Sequence, residues 1–365
     1  MNGYNTLTER LQIRFPVIQA GMAGGATTPD LVAAVSNAGG LGTLGAGYMS
    51  PQHMKEAIRK IKLLTDKPFA VNLFVPEAQV DVPCVQEPIQ TQLASIRKRL
   101  HMAGGQEAGA SEAVFDYDAY QRSFEEQLSV VIQEKVPVFS FTFGVPSPEI
   151  MHQLKSNGIV VIGTATHVKE AQILVAAGVD LVVAQGSEAG GHRGTFHGAC
   201  EDSLVGTIAL VPLIADHVSV PVIAAGGIMD GRGMAAAMAL GAQGVQLGTA
   251  FLACEESGAH EAYKAAVLSS NERSTIVTRT FSGKLARGIV NDFIRQLQPY
   301  AEHVPPYPIM NQLTRDIRQE AARQSNPEYL SLWAGQAARL GRRTTAHDVV
   351  EKLIHRWQEV VHQMK

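Results

Sequence analysis

Short, uniformly apolar runs recur along this chain, each followed by a longer segment rich in alanine and leucine, and that alternation restricts the fold more than any other feature. The runs fall at 16–20, 40–45, 69–73, 136–141, 159–163, 180–184, 220–225 and 244–247. They are too short and too apolar to have a wet face, which is what a parallel sheet covered by helices requires. The segments between them carry helix signals. Thr28 stands where a cap belongs and Pro29 suits the first position of a helix over 29–37; residues 51–64 read as the next crossover helix. An open doubly wound sheet gives the same alternation, so the glycines have to discriminate. Gly21, Gly45, Gly144, Gly163, Gly186, Gly226 and Gly248 follow or end successive strands. Many strands therefore feed loops into one site, as at the C-terminal mouth of a barrel, whereas a dinucleotide fold concentrates its glycines after the first strand. The expected fold is α/β, a (β/α)8 TIM barrel.

Two excursions interrupt the repeat. Residues 76–133 hold Pro76, Pro83 and Pro88, a polar helix candidate and the aromatic stretch Phe115–Tyr120; they read as an extended loop with crossover helices beside the mouth. Residues 254–325 follow the eighth strand with a helix over 259–268, a polar Ser/Thr stretch and the Pro305-Pro306 break. The expectation is a smaller, mostly helical cap at 254–325, inserted into a barrel made of 1–253 and 326–365. The return begins near Tyr329 and ends in an amphipathic helix over 345–362.

A net charge of -3 with no long acidic block provides no electrostatic footprint for nucleic acid or a membrane surface. Met1 to Arg14 is polar and lacks an apolar signal core, and no apolar run reaches spanning length. The three cysteines, Cys84, Cys200 and Cys254, are odd in number and widely spaced, which fits neither a disulfide framework nor a zinc site. They read as thiols in a reducing compartment. A cytoplasmic protein without a metal is expected, monomer or homodimer being left open.

The run from Val183 to Gly194 carries the chemistry. An apolar strand ends in a glycine-rich loop that sets His192 among bare amides beside Arg193. Gly190 and Gly191 let backbone approach a planar or anionic ligand, and an imidazole there can exchange protons near neutral pH. Arg193 suits a carboxylate clamp, but an outward orientation or a pair with Glu188 is the favoured reading, and His197 reads as a loop residue. Gly226 and Gly227 end the seventh strand ahead of a small-residue helix over 233–240, and Gln246, Leu247, Gly248 and Thr249 end the eighth. On a barrel these are the usual phosphate positions, where glycine N–H groups and a helix N-terminus accept phosphoryl oxygens. Opposite them, Gly21 and Met22 follow strand one and Asn72 ends strand three. With Gln185, these offer close backbone and amide groups to an isoalloxazine ring. Tight turns, core packing and capping explain the same residues if each is taken alone.

Five segments together resemble the nitronate monooxygenase family, formerly grouped with the 2-nitropropane dioxygenases, and within it the large bacterial and fungal class. They are Gly21-Met22-Ala23-Gly24-Gly25, Ala34 to Gly42, Ala189 to Gly194, Gln246 to Phe251 and Leu332-Trp333-Ala334-Gly335-Gln336. Several N-terminal pieces are shared with flavin-dependent enoyl-acyl-carrier-protein reductases; the Gly-His-Arg-Gly and Trp-Ala-Gly-Gln segments fit the nitronate class better. The resemblance implies FMN contacts at Met22, Asn72, Gln185, Gly190, Gly227, Gln246, Gly248 and Thr249, and His192 as the active-site histidine. It implies oxidation of alkyl nitronates, including propionate 3-nitronate, by O2 to a carbonyl product and nitrite. His192 then either donates a hydrogen bond to the nitro oxygens, the favoured role, or removes the α-proton of a neutral nitroalkane. Trp333 and Gln336 either close the site from a returning helix or serve packing and capping. The insertion between Leu100 and Ser111, with Gly104, Gly105 and Gly109, departs from the family pattern on the substrate side. The competing functions are an enoyl-thioester reductase using NAD(P)H through the same FMN, and a flavin-free barrel aldolase or isomerase.

Overall fold

Eight parallel strands form a ring in the computed structural model, which describes residues 5–77, 85–102 and 115–364. In chain order they are β1 (Val17–Gln19), β2 (Gly42–Gly45), β3 (Phe69–Phe74), β4 (Val138–Thr142), β5 (Val160–Ala165) and β6 (Leu181–Gln185). A short β7 (Gly191–His192) lies outside the ring, which continues with β8 (Val222–Ala225) and β9 (Gly244–Leu247). The last strand returns to the first in the register Val17↔Val245, and the bridge Ile18↔Leu41 ties β1 to the start of β2. The ring is thereby closed, and the barrel reading holds over the open sheet.

Each barrel strand hands on to a helix that covers it, in order Pro29–Asn37, Pro51–Leu64, Tyr117–Gln133, Pro148–Ser156, Val168–Ala176, Thr207–Ala215, Gly231–Ala239 and Ala346–Gln363. Their starts are written locally: Thr28, Ser50, Ser147 and Thr345 each accept a backbone N–H of the first turn, with proline in the first turn of the first three helices. Apolar residues on both strand faces are buried for two different reasons. Val71, Phe139, Val161, Val182 and Val245 pack outward against the helices, while Ile18, Ala70, Val138, Ile162, Leu181 and Ile223 pack inside the ring. Leu7 and Leu11, from the helix Thr6–Leu11, fill the bottom of that interior. The polar N-terminal stretch thus contains the barrel's plug, a role its two leucines did not announce.

The Ser/Thr stretch expected within a helical cap is instead a strand. Thr275, Ile276, Val277 and Thr278 favour extended backbone, and β10 (Thr275–Thr278) pairs antiparallel with β11 (Ala286–Ile289). On its other side β11 takes β7, in the register Ala286↔His192 and Arg287↔Gly191. The His192 loop is therefore an edge strand of the cap sheet as well as an extension of the barrel. The helix Glu87–Arg99 turns Ile89, Leu93 and Ile96 toward Phe293, Leu297 and Met310 of the cap, and Arg97 is paired with Asp316 at 2.8 Å. The first excursion is thus divided: the helix Glu87–Arg99 joins the cluster around Phe293 and Met310, while Tyr117–Gln133 packs on the barrel wall. Gly104, Gly105 and Gly109 of the insertion, together with Pro83 and Cys84, lie outside the described residues. Among the described residues no helix is long and apolar enough to cross a membrane.

Candidate active site at the mouth of the barrel

The C-terminal ends of the strands open into one cavity of about 1040 Å³, at the upper edge of the ~300–1,000 Å³ usual for a single ligand. Every residue singled out in the sequence as a contact or catalytic group lines it: Gly21, Met22, Asn72, Gln185, Gly190, Gly191, His192, Gly226, Gly227, Gln246, Leu247, Gly248 and Thr249.

The glycines differ in why they are needed. Gly226 and Gly227 have φ of 115° and 72°, which L side chains rarely adopt. At Gly21 and Gly190 a Cβ would lie 2.6 Å from the Cβ of Asn72 and from the backbone of Ala334, so packing forbids it. Gly248 is different: a Cβ there would meet nothing closer than 3.6 Å. Its missing side chain leaves room against the cavity, as a flat ligand lying on backbone requires. The helix Gly231–Ala239, whose N-terminus was expected to meet a phosphate, is instead capped by its own Asp230, and Gly231 is covered by Trp357. The cavity stops at Met229. On this side the polar groups left facing the cavity are the loop amides and Thr249, whose Oγ1 accepts from Gly335 N–H at 2.9 Å and keeps its own proton to donate.

The amides of the opposite side are partly committed. Asn72 donates to Ser140 Oγ at 2.9 Å. Gln185 donates to the carbonyl of His192 at 3.0 Å and accepts the Gly194 N–H at 2.8 Å, so its first task is to hold the loop.

His192 sits deep in the molecule with one side of its ring on the cavity. The rings of Phe143, Tyr307 and Trp333 surround it at centroid distances of 5.7, 6.0 and 5.4 Å. Phe143 reaches it from a backbone φ of 78°, an unusual conformation for a bulky residue. Burial, then the positive charges of Lys284 and Arg318, lower the His192 pKa to about 3. That shift favours the neutral imidazole. Nε2 lies 2.8 Å from Ser282 Oγ.

Arg193 is neither a clamp nor outward-pointing nor paired with Glu188. It is fully buried and donates to the carbonyls of Gly186, Gln185 and Ser203 at 2.6, 2.8 and 3.1 Å. Glu188 is instead held by the N–H and hydroxyl of Thr207. His197 is an exposed loop residue. Trp333 lines the cavity, but on an extended return strapped to Gly288 rather than on a helix, and Gln336 points to solvent.

Sequence reasoning did not select Tyr48, Tyr307 or Arg318. Tyr48, Tyr120 and Tyr307 line the same end of the cavity, and burial raises the pKa of Tyr120 and Tyr307. Arg318 borders the same end of the cavity, half-buried, with no carboxylate partner among the described residues. Its helix, Arg315–Arg323, reads as a solvated charged face. The one signal available was the aromatic stretch ending at Tyr120.

A closed parallel barrel with a glycine-lined cavity and a half-buried histidine at its C-terminal mouth defines a barrel enzyme acting on a small molecule. The comparisons specify which. Residues 5–356 match the family model described as nitronate monooxygenase. A probable nitronate monooxygenase of Staphylococcus haemolyticus is 49% identical over 352 residues, 96% of each chain. One from Staphylococcus aureus is 46% identical over 358 residues, 98% of each. Among solved structures, nitroalkane oxidase from Streptomyces ansochromogenes superposes with a TM-score of 0.88 at 38% identity, covering 99% of this chain and 100% of that one. FabK from Thermotoga maritima gives 0.78 at 32%, covering 99% and 98%. The chain belongs to the nitronate monooxygenase family.

Proposed function

We propose that this enzyme binds FMN and uses it to oxidise alkyl nitronates with O2, giving a carbonyl product and nitrite. The observation that carries the reading is the field around His192. Lys284 is neutralised by its pair with Glu77, but Arg318 borders the cavity without a carboxylate partner among the described residues, and its charge favours an anion there. A nitronate is such an anion, and it brings its own electron-rich carbon.

The residues present fit the cofactor. Gly226, Gly227, Gln246, Leu247, Gly248 and Thr249 would offer amides and a hydroxyl for the phosphate; Gly21, Met22, Gly190 and Gly191 would offer close backbone for a flat ring, and Asn72 and Gln185 polar groups for its edge. When bound, FMN supplies the electron acceptor and the reactivity toward oxygen. The chain's own groups orient the substrate, exclude water and hold charge. Phe143, Tyr307 and Trp333 pack the apolar walls, and His192 is the catalytic residue. Arg318, with Tyr48 and Tyr307 beside it, matches a carboxylate at the far end of a substrate, which supports propionate 3-nitronate among the nitronates used.

The test is a paired assay in air. Nitrite release from a nitronate, without turnover of crotonyl thioester by NADH or NADPH, supports this reading. Thioester reduction without nitrite release would transfer the protein to the reductases.

A further inference from the structure

A peptide between two glycines can turn either its N–H or its carbonyl toward a ligand, and the peptide joining Gly226 to Gly227 is one of these. Thr207 touches it from outside the cavity lining. This residue opens the helix Thr207–Ala215 and is buried, with its Oγ1 3.0 Å from the Gly226 carbonyl oxygen and 2.8 Å from Glu188 Oε2. The carboxylate is already served by the Thr207 N–H, at 3.0 and 2.9 Å. The Gly226 carbonyl has no other donor among the described residues. We propose that Thr207 is a positioning residue whose hydroxyl holds the Gly226 carbonyl away from the cavity and so presents the Gly227 N–H to the phosphate of a bound flavin nucleotide.

The Gly226–Gly227 bond is trans, so its C=O and N–H point in opposite directions. A carbonyl held on Thr207 therefore leaves the Gly227 N–H facing the other way, and both glycines line the cavity. The preceding peptide is fixed in the same manner, because the Ala225 carbonyl accepts the Gly186 N–H at 2.8 Å. Neither the Gly226 nor the Gly227 N–H donates to another group among the described residues, which leaves two successive amides for one anion. The seat of Thr207 is tight. A Cβ on Gly186 would collide with its Oγ1, and one on Gly226 would lie 2.9 Å from it, so glycine at both positions admits the hydroxyl.

The inference rests on the FMN reading and deepens it by naming what orients the phosphate loop. Without a hydroxyl on the Gly226 carbonyl, the peptide is free to rotate, because no Cβ on either side opposes it. Rotation puts a carbonyl oxygen where an N–H had been and sets it against the phosphoryl oxygens. A side chain with the shape of threonine but no hydroxyl therefore weakens binding of the phosphate and spares that of the ring. Glu188 stands close by, since a Cβ on Gly227 would lie 3.4 Å from the Glu188 Cβ. Its charge has to be separated from the effect of the hydroxyl.

The test compares FMN with riboflavin, which has the same ring and ribityl chain but no phosphate, by fluorescence titration of the full-length apoprotein. The wild type should prefer FMN. Thr207→Val should lose about tenfold or more of that preference while its riboflavin affinity stays within about twofold. Thr207→Ser should restore the preference. The same loss is expected when Thr207→Val is combined with Glu188→Gln, where no carboxylate faces the phosphate. The proposal is overturned by a preference unchanged in folded Thr207→Val, lost equally in Thr207→Ser, or sensitive to Thr207 only while Glu188 is present. A wild type that binds riboflavin as tightly as FMN overturns it too, with no variant needed. Failure of the cofactor reading looks different: the wild type then retains neither flavin, and the inference falls with it.

Discussion

Gln185 grips the loop that bears His192 at two points, donating from Nε2 to the His192 carbonyl at 3.0 Å and accepting the Gly194 N–H at Oε1 at 2.8 Å. Gln185→Ala leaves both backbone groups without that partner. The cost is about 1–3 kcal/mol, and the loop loses its register against the cavity. Thermal unfolding should shift down by several degrees, and the flavin-reduction rate should fall about tenfold. A variant with wild-type melting and wild-type rate would show that the amide serves neither purpose.

Arg193 is a structural residue. Its guanidinium satisfies three backbone carbonyls from a fully buried position. Arg193→Lys keeps the charge but not the fork, so urea unfolding should show a loss of about 3 kcal/mol. Any residual activity in folded protein should keep the wild-type KM. A raised KM with intact stability would restore Arg193 to the substrate site.

Acid should unfold the enzyme partly through His192. Its pKa is about 3 when folded and ordinarily 6.5. Between those values the unfolded chain holds a proton that the folded chain does not. Stability therefore rises with pH across that window and is lost as pH falls through it, by up to about 1.4 kcal/mol per unit before screening through the cavity. His192→Gln removes this component. Between pH 7 and pH 5 the wild type should lose about 1–2 kcal/mol more than the variant in urea titrations. Equal losses would mean that the imidazole titrates normally.

Gly190 is tight against the return strand. Its Cβ would stand 2.6 Å from the backbone of Ala334 and Gly335, next to Trp333. Gly190→Ala should displace that strand at a cost of about 1–3 kcal/mol and weaken FMN binding to the apoprotein tenfold or more. Fluorescence titration with FMN measures it. Wild-type affinity would place the flavin away from this loop.

The barrel was legible because its strands are apolar on both faces and Gly21, Gly226 and Gly248 follow strands at the mouth, although Gly163, expected to end its strand, lies inside β5 against Leu174. The helices Pro29–Asn37 and Pro51–Leu64 were readable to the residue from a cap and a proline. The cap was less so. Thr275 to Thr278 is polar enough to pass for a loop, and only its pairing with Ala286–Ile289 makes it a strand. In the site, the glycines and His192 declared themselves by local pattern. Ser282, Tyr307 and Arg318 did not, because their positions beside His192 depend on long-range packing of the cap. Arg193 misled for the same reason: nothing in its neighbours tells of three carbonyls converging on it.

The central claim is that a nitronate gives its electrons to bound FMN at His192. The most direct measurement is anaerobic mixing of the purified yellow protein with ethylnitronate, followed at the flavin absorbance with no nicotinamide present. The account predicts rapid bleaching, and bleaching about a hundredfold slower in FMN-loaded His192→Ala when nitroethane replaces the nitronate. A flavin that stays oxidised with ethylnitronate but bleaches with NADH or NADPH would contradict it.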